Sequence, residues 1–160
     1  MNAHDVKMFQ RVLVPLDGSK LAEHALPHVR NLSQGGFIGE IILLNVVEIP
    51  VAWLEGLNYV SILNAHLKQS TEYLRILQEQ LTAEGLSVKA EILKGTTAQA
   101  IIDYAVKNGV DLIVIGTHGY TGMKKLAFGS IALQVLHEAH CPVLMIRPKL
   151  QTVMNALVGK

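Results

Sequence analysis

Four residues, Gly116, Gly119, Gly129 and Ser130, have the types and spacing with which a backbone can hold an anion. They fall in the stretch Gly116-Thr117-His118-Gly119, nine further residues, then Gly129-Ser130, directly after the apolar run Leu112-Ile113-Val114-Ile115. Glycines where a strand runs out let the chain take conformations closed to other residues and come close to a ligand. Ser130 can cap the helix that starts there. The N–H groups of that helix start, with its positive dipole end, suit an anion such as a triphosphate. His118, inside the loop, could donate to a phosphate or ribose oxygen. A plain glycine-rich connection in an α/β domain fits the same residues, so both readings stand at this point.

A second polar cluster, Asp17-Gly18-Ser19, ends the apolar run Arg11-Val12-Leu13-Val14-Pro15-Leu16. Asp17 reads either as a turn or cap residue or as a carboxylate facing a ligand beside the glycine loop. Lys124-Lys125 could draw phosphate charge toward the loop or be a solvated pair. His24 with His28, and His137 with His140, lie at helical spacing, but neither pair completes a zinc-protease H-E-x-x-H pattern. The chain has no G-x-x-x-x-G-K-[ST], G-x-G-x-x-G or G-x-S-x-G sequence. An enzyme reading therefore lacks an evident nucleophile or general base; only Asp17 and His118 stand near the expected phosphates.

The elements that must position these residues follow from hydrophobic periodicity. The run 11–16 predicts a strand, and Leu21, Ala22, Ala25, Leu26, Val29 and Leu32 mark a helix that ends at Gly35-Gly36. Pro27 inside that helix removes one hydrogen bond and predicts a kink. Residues 41–47 predict a second strand, and residues 61–84 a long helix with Leu63, Leu67, Leu74, Leu77 and Leu81 on one face. Residues 87–93 alternate as a third strand. Thr96 with Gln99 forms a capping-box pattern for a helix closed by Asn108-Gly109. Leu112 to Ile115 is the fourth strand, Ser130 to about His140 a helix, and Pro142 to Ile146 the fifth strand. Strands alternating with helices, each apolar enough to be buried, imply a mostly parallel sheet with helices on both faces. Ligands of such sheets sit beyond the carboxyl ends of the strands, where strand order reverses.

At 160 residues the chain fits one domain, which can bury roughly two thirds of its unfolded surface without staples. Half the residues are apolar, yet no run approaches the roughly 20 residues that span a bilayer. Met1-Asn2-Ala3-His4-Asp5 lacks the apolar core of a signal peptide, so a cytoplasmic protein is expected. A formal charge of +1 leaves no field to attract nucleic acid. The single Cys141 excludes an internal disulfide and a cysteine-based zinc cluster, and reads as a small apolar residue entering a strand.

These residues resemble the universal stress protein family. The pattern G-x-x-G-x9-G-S, filled by Gly116, Gly119, Gly129 and Ser130, is similar to the signature of that family's ATP-binding branch. The likeness extends from residues 12–19 through Leu43-Leu44-Asn45-Val46-Val47 to Cys141-Pro142-Val143-Leu144-Met145-Ile146. It implies a single doubly wound α/β domain over residues 1–148, a tail over 149–160, and a five-stranded parallel sheet of order 3-2-1-4-5. It further implies ATP, with Mg or Mn carried on its phosphates. Asp17 would lie on the adenine and ribose side with Pro15 and Leu16, and the Val46 backbone would touch the base. Gly116, Thr117, His118 and Gly119 would meet ribose and phosphates; Gly129, Ser130 and Ile131 would hold the phosphates. Thr97 stands where the family frequently has proline.

The function so implied is a nucleotide-dependent stress-response module, a homodimer paired through Pro142 to Ile146, with an unknown protein partner and no membrane or nucleic acid. A slow ATP hydrolase, or a protein for another adenine nucleotide including the cyclic form, is the alternative. Trp53, beyond the carboxyl end of the second strand, could belong to a lid over the adenine end or simply cover the core.

Overall fold

The computed structural model describes residues 7–48, 59–117 and 128–147. Trp53 and its proposed lid, the Lys124-Lys125 pair and the tail 149–160 lie outside the described residues. Five strands, β1 (Phe9–Pro15), β2 (Ile38–Val47), β3 (Val88–Lys94), β4 (Leu112–Gly116) and β5 (Val143–Ile146), form one sheet in the order β3-β2-β1-β4-β5. All four pairings are parallel. This is the order that the resemblance implied, and it puts the reversal of strand order between β1 and β4.

Helices α1 (Ala25–Gln34), α2 (Tyr59–Ala83), α3 (Thr97–Lys107) and α4 (Ser130–Glu138) supply the crossovers. Alternate residues of each strand face opposite sides of the sheet, which produces two cores. On one side Val12, Val14, Ile41 and Leu43 pack against Ala25, Leu26 and Val29 of α1 and Leu74 and Leu81 of α2. On the other, Leu13, Ile42, Leu44, Ile113 and Ile115 meet Ala98, Ile101, Tyr104 and Ala105 of α3 and Ala132 and Val135 of α4. β4 and the second half of β1, Val12 to Pro15, are continuously buried because both their faces are covered, whereas β1 has exposed Gln10 and Arg11 near its start and β3, at an edge, is only half-buried.

Three local expectations change. Pro27 does not fall in a helix interior: a 3-10 turn over Ala22–His24 precedes α1, and Pro27 is the third residue of α1 itself. An N–H there has no intrahelical acceptor to lose, so proline is tolerated. The Thr96–Gln99 capping box does not form. Thr96 is the N-cap but its side chain makes no cap bond, and the Gln99 Nε2 donates to Asp103 Oδ1 at 2.8 Å instead. The last helix ends at Glu138 rather than near His140.

The end of the sheet away from the site is tied by one carboxylate. The backbone N–H groups of Gln10 and Arg11 donate to the two oxygens of Asp111 at 2.7 and 3.0 Å, which holds the start of β1 against the start of β4. Two charge-assisted bonds at an exposed position are together worth roughly 1–2 kcal/mol. Asp111→Ala is expected to lower unfolding stability by about that amount in urea titration with an unchanged m-value.

Candidate functional site

Asp17 is oriented by the turn in which it sits. Gly18 has φ of +84°, a left-handed conformation that a residue with a Cβ rarely adopts. That turn brings Ser19 back so that its N–H and hydroxyl donate to Asp17 Oδ1 at 2.9 and 2.6 Å. Ser19 Oγ in turn accepts from the Ala22 N–H at 3.1 Å, starting the 3-10 turn. The two readings of Asp17 are thus compatible: one oxygen organises the turn while the exposed carboxylate stands at the carboxyl end of β1.

β4 delivers the other half. Thr117 is 1% exposed. Its N–H donates to Ile146 O at 2.9 Å and its carbonyl accepts from Gly129 N–H at 2.6 Å, so the end of β4 is pinned both to β5 and to the start of α4. Gly129 is the N-cap of α4, with φ −73° and ψ 150°, and Ser130 is the first helical residue; no side chain caps this end. The expectation that Ser130 caps the helix is therefore corrected. Nor does Gly129 use a glycine-only conformation. Its missing side chain matters for space, since a Cβ there would stand 3.3 Å from Thr117 O.

Between these halves lies a cavity of about 270 Å³ lined by Pro15, Leu16, Asp17, Val46, Gly116, Thr117, Gly129, Ser130 and Ile131, together with Ala22, Thr97, Ile101, Ile115 and Ala132. The structure thus brings together the expected residues of β1, β2, β4 and α4; His118 and Gly119 lie outside the described residues. The last five lining residues were not singled out in the sequence. Ile101 and Ala132 were visible only as apolar helix positions, Ile115 only as part of a strand and Ala22 only as helix periodicity. Thr97 was noted as a departure from a family pattern. The structure gives it a partner, because its hydroxyl donates to Glu48 Oε2 at 2.8 Å across the ends of β2 and α3.

Chemically the cavity is divided. Leu16, Ile101 and Ile115 make an apolar wall, Asp17 offers a carboxylate, and α4 starts opposite with N–H groups that no helical carbonyl can accept. Such an arrangement can bind a ligand with a flat apolar part, a hydroxylated part and an anionic end. Among the described residues no group of three or more His, Cys, Asp or Glu side chains is arranged for a metal ion. His24 is engaged locally, its Nδ1 lying 2.8 Å from Lys20 O. Cys141 is partly buried, and burial, reinforced by Asp111, pushes its thiol above the ordinary value, as suits a packing residue. No helix among the described residues is long and apolar enough to cross a membrane.

A family model described as the universal stress protein family matches residues 8–147. Universal stress protein MJ0531 of Methanocaldococcus jannaschii is 31% identical over 142 residues, 88% of this chain and 83% of that protein. Among solved structures, that of the hypothetical protein MJ0577 of the same organism superposes with a TM-score of 0.82 at 29% identity, covering 89% of this chain and 99% of that one. An AMP-bound universal stress protein family protein from Arabidopsis thaliana superposes with a TM-score of 0.67 at 16% identity, covering 89% and 94%; that likeness is one of fold.

Proposed function

The chain belongs to the universal stress protein family, and we propose that within it the protein is a cytoplasmic, dimeric ATP-binding module whose nucleotide occupancy alters its contacts with other proteins. The observation that carries the nucleotide reading is the cavity at the strand-order reversal, where Asp17 faces the start of α4. Leu16, Val46, Ile101 and Ile115 suit an adenine ring, and the Asp17 carboxylate suits ribose hydroxyls. The Gly129-Ser130-Ile131 start of α4, which His118 and Gly119 precede in the loop, suits phosphates. About 270 Å³ falls just under the roughly 300–1,000 Å³ of drug-sized sites, which fits base and ribose with phosphates reaching outward along α4. A Mg or Mn ion would ride on the phosphate oxygens, the hard ligands such an ion prefers. The AMP found in the Arabidopsis relative supports an adenine nucleotide as the class.

Dimerisation rests on a second feature. β5 is an edge strand with Leu144 38% exposed, and Ile131, Leu133 and Leu136 of α4 are similarly exposed beside it. An apolar edge with unpaired backbone groups favours pairing with another chain.

The nucleotide reading is tested by the mass spectrum of whatever the purified chain releases on denaturation, followed by calorimetry with ATP, ADP, AMP and cyclic AMP. ATP is expected to be recovered intact after hours of incubation and to bind most tightly. Product accumulating well above background would establish the hydrolase alternative, and tighter binding of AMP or cyclic AMP would change the ligand. Absence of saturable binding by all four would overturn the reading.

A further inference from the structure

The cavity has an order along the sheet that fixes which part of a ligand meets which residue. Val46 of β2 with Thr97 and Ile101 of α3 line one end, Asp17 stands at the end of β1, and Gly116, Thr117 and the start of α4 line the other. In the sheet order β2-β1-β4 the two ends are two strand spacings apart, roughly 10 Å. With phosphates drawn to the start of α4, the base falls against β2 and α3. There the side chains of Val46 and Ile101 are apolar and can only cover the faces of a base. Among the described residues, Thr97 is the one side chain given to the cavity by β2 or α3 that can hydrogen-bond with its edge.

The role open to Thr97 is set by its neighbours. Gly95 N–H donates to Val47 O at 3.2 Å, which holds the approach to α3 against the end of β2. Thr97, the first residue of α3, donates its hydroxyl proton to Glu48 Oε2 at 2.8 Å. A threonine hydroxyl has one proton and two acceptor lone pairs, and an ionised carboxylate can only accept. The proton is therefore committed to Glu48, and toward a ligand Thr97 Oγ1 offers lone pairs alone. Adenine presents an N–H donor on its exocyclic nitrogen, where guanine presents an oxygen acceptor. Two acceptors that face each other repel, and both stay unpaired. We propose that Thr97, held as an acceptor by Glu48, selects a 6-aminopurine over a 6-oxopurine. This assignment rests on the nucleotide reading of the cavity and adds to it the residue that reads the base. Thr97 contacts the base, and Glu48 is a positioning residue that acts through it.

Calorimetry of the full chain, freed of nucleotide, with ATP and inosine triphosphate tests this. The two ligands differ only in the 6-amino or 6-oxo group of the base and the ring proton that goes with the latter. The parent is expected to bind ATP about tenfold or more tightly than inosine triphosphate. Thr97→Val keeps the shape and removes the hydroxyl, and is expected to weaken ATP about tenfold and inosine triphosphate less than about twofold. Glu48→Leu frees the hydroxyl to turn and donate to the 6-oxygen, and is expected to narrow the preference at least about threefold through a gain for inosine triphosphate. The lost charge acts on both triphosphates alike, so the ratio isolates the hydroxyl. A residue that merely shaped the start of α3 would move both ligands together and leave the ratio where it was. Equal affinities in the parent, or a ratio unchanged in Thr97→Val, would overturn the assignment while leaving the nucleotide site in place; a ratio unchanged in Glu48→Leu would overturn the part given to Glu48. A parent that binds neither triphosphate would overturn the nucleotide reading and this assignment with it.

Discussion

Gly129→Val is expected to bind ATP about a hundredfold more weakly than the parent, a loss of about 2.7 kcal/mol, while the chain remains folded. The reason is steric. Gly129 already has a backbone conformation open to any residue, so valine does not force the chain out of shape. Its Cβ, however, would press on Thr117 O at 3.3 Å, and its methyl groups would occupy the space through which a phosphate reaches the start of α4. The expected pattern is that ATP at about a hundred times the parent's dissociation constant stabilises the parent by roughly 2.7 kcal/mol in thermal unfolding and the variant by far less. Gly129→Ala, with a single methyl, should fall between them. A Gly129→Val chain that is folded and binds ATP like the parent would remove this loop from the nucleotide site.

The second large effect concerns assembly. Ile113 N–H donates to Pro142 O, and Thr117 N–H to Ile146 O, so the even-numbered residues of β5 direct their backbone groups toward β4. With a period of two, Val143 and Met145 direct theirs outward from the sheet edge. Met145→Pro therefore deletes an outward donor while leaving the β4 ladder intact, and proline is tolerated at an edge. Leu144→Pro would instead remove a bond within the chain's own sheet and confound folding with assembly. Sedimentation is expected to find the parent a dimer at micromolar concentration and Met145→Pro a folded monomer. A parent that sediments as a monomer, or a Met145→Pro chain that stays dimeric, would exclude pairing through β5.

The nucleotide site and the edge strand differ in how they were encoded. The glycine and serine spacing, the apolar run before it and the Asp17-Gly18-Ser19 turn are local patterns, each readable within about 15 residues. The cavity joins Asp17 to Ser130, segments more than a hundred positions apart, and nothing local says that β1 and β4 are neighbours. That adjacency came from family likeness, and the sheet order of the structure agrees with it.

Local pattern was enough for the types of the elements, because periodicity and glycine placement act through the backbone of a single segment, although some ends moved: β2 begins at Ile38 and the last helix stops at Glu138. The apolar runs Val12 to Pro15 and Leu112 to Ile115 are buried strand, as their length and flanking turns predict, and the glycines at positions 18, 36, 85 and 109 all take the positive φ that closes a turn or a helix. Tertiary structure alone decided what the polar side chains do. Thr97 lost its bland place in a helix start to a bond with Glu48; Gln99 abandoned its capping box for Asp103. Asn45, indistinguishable in sequence from any polar interruption of a strand, became a buried donor that ties β2 to the Leu16 carbonyl just past β1. The physical reason is that a hydrogen bond is directional and short. Its partner is settled only when distant segments are brought within about 3 Å of one another, whereas apolar burial is non-directional and survives in the pattern of the chain.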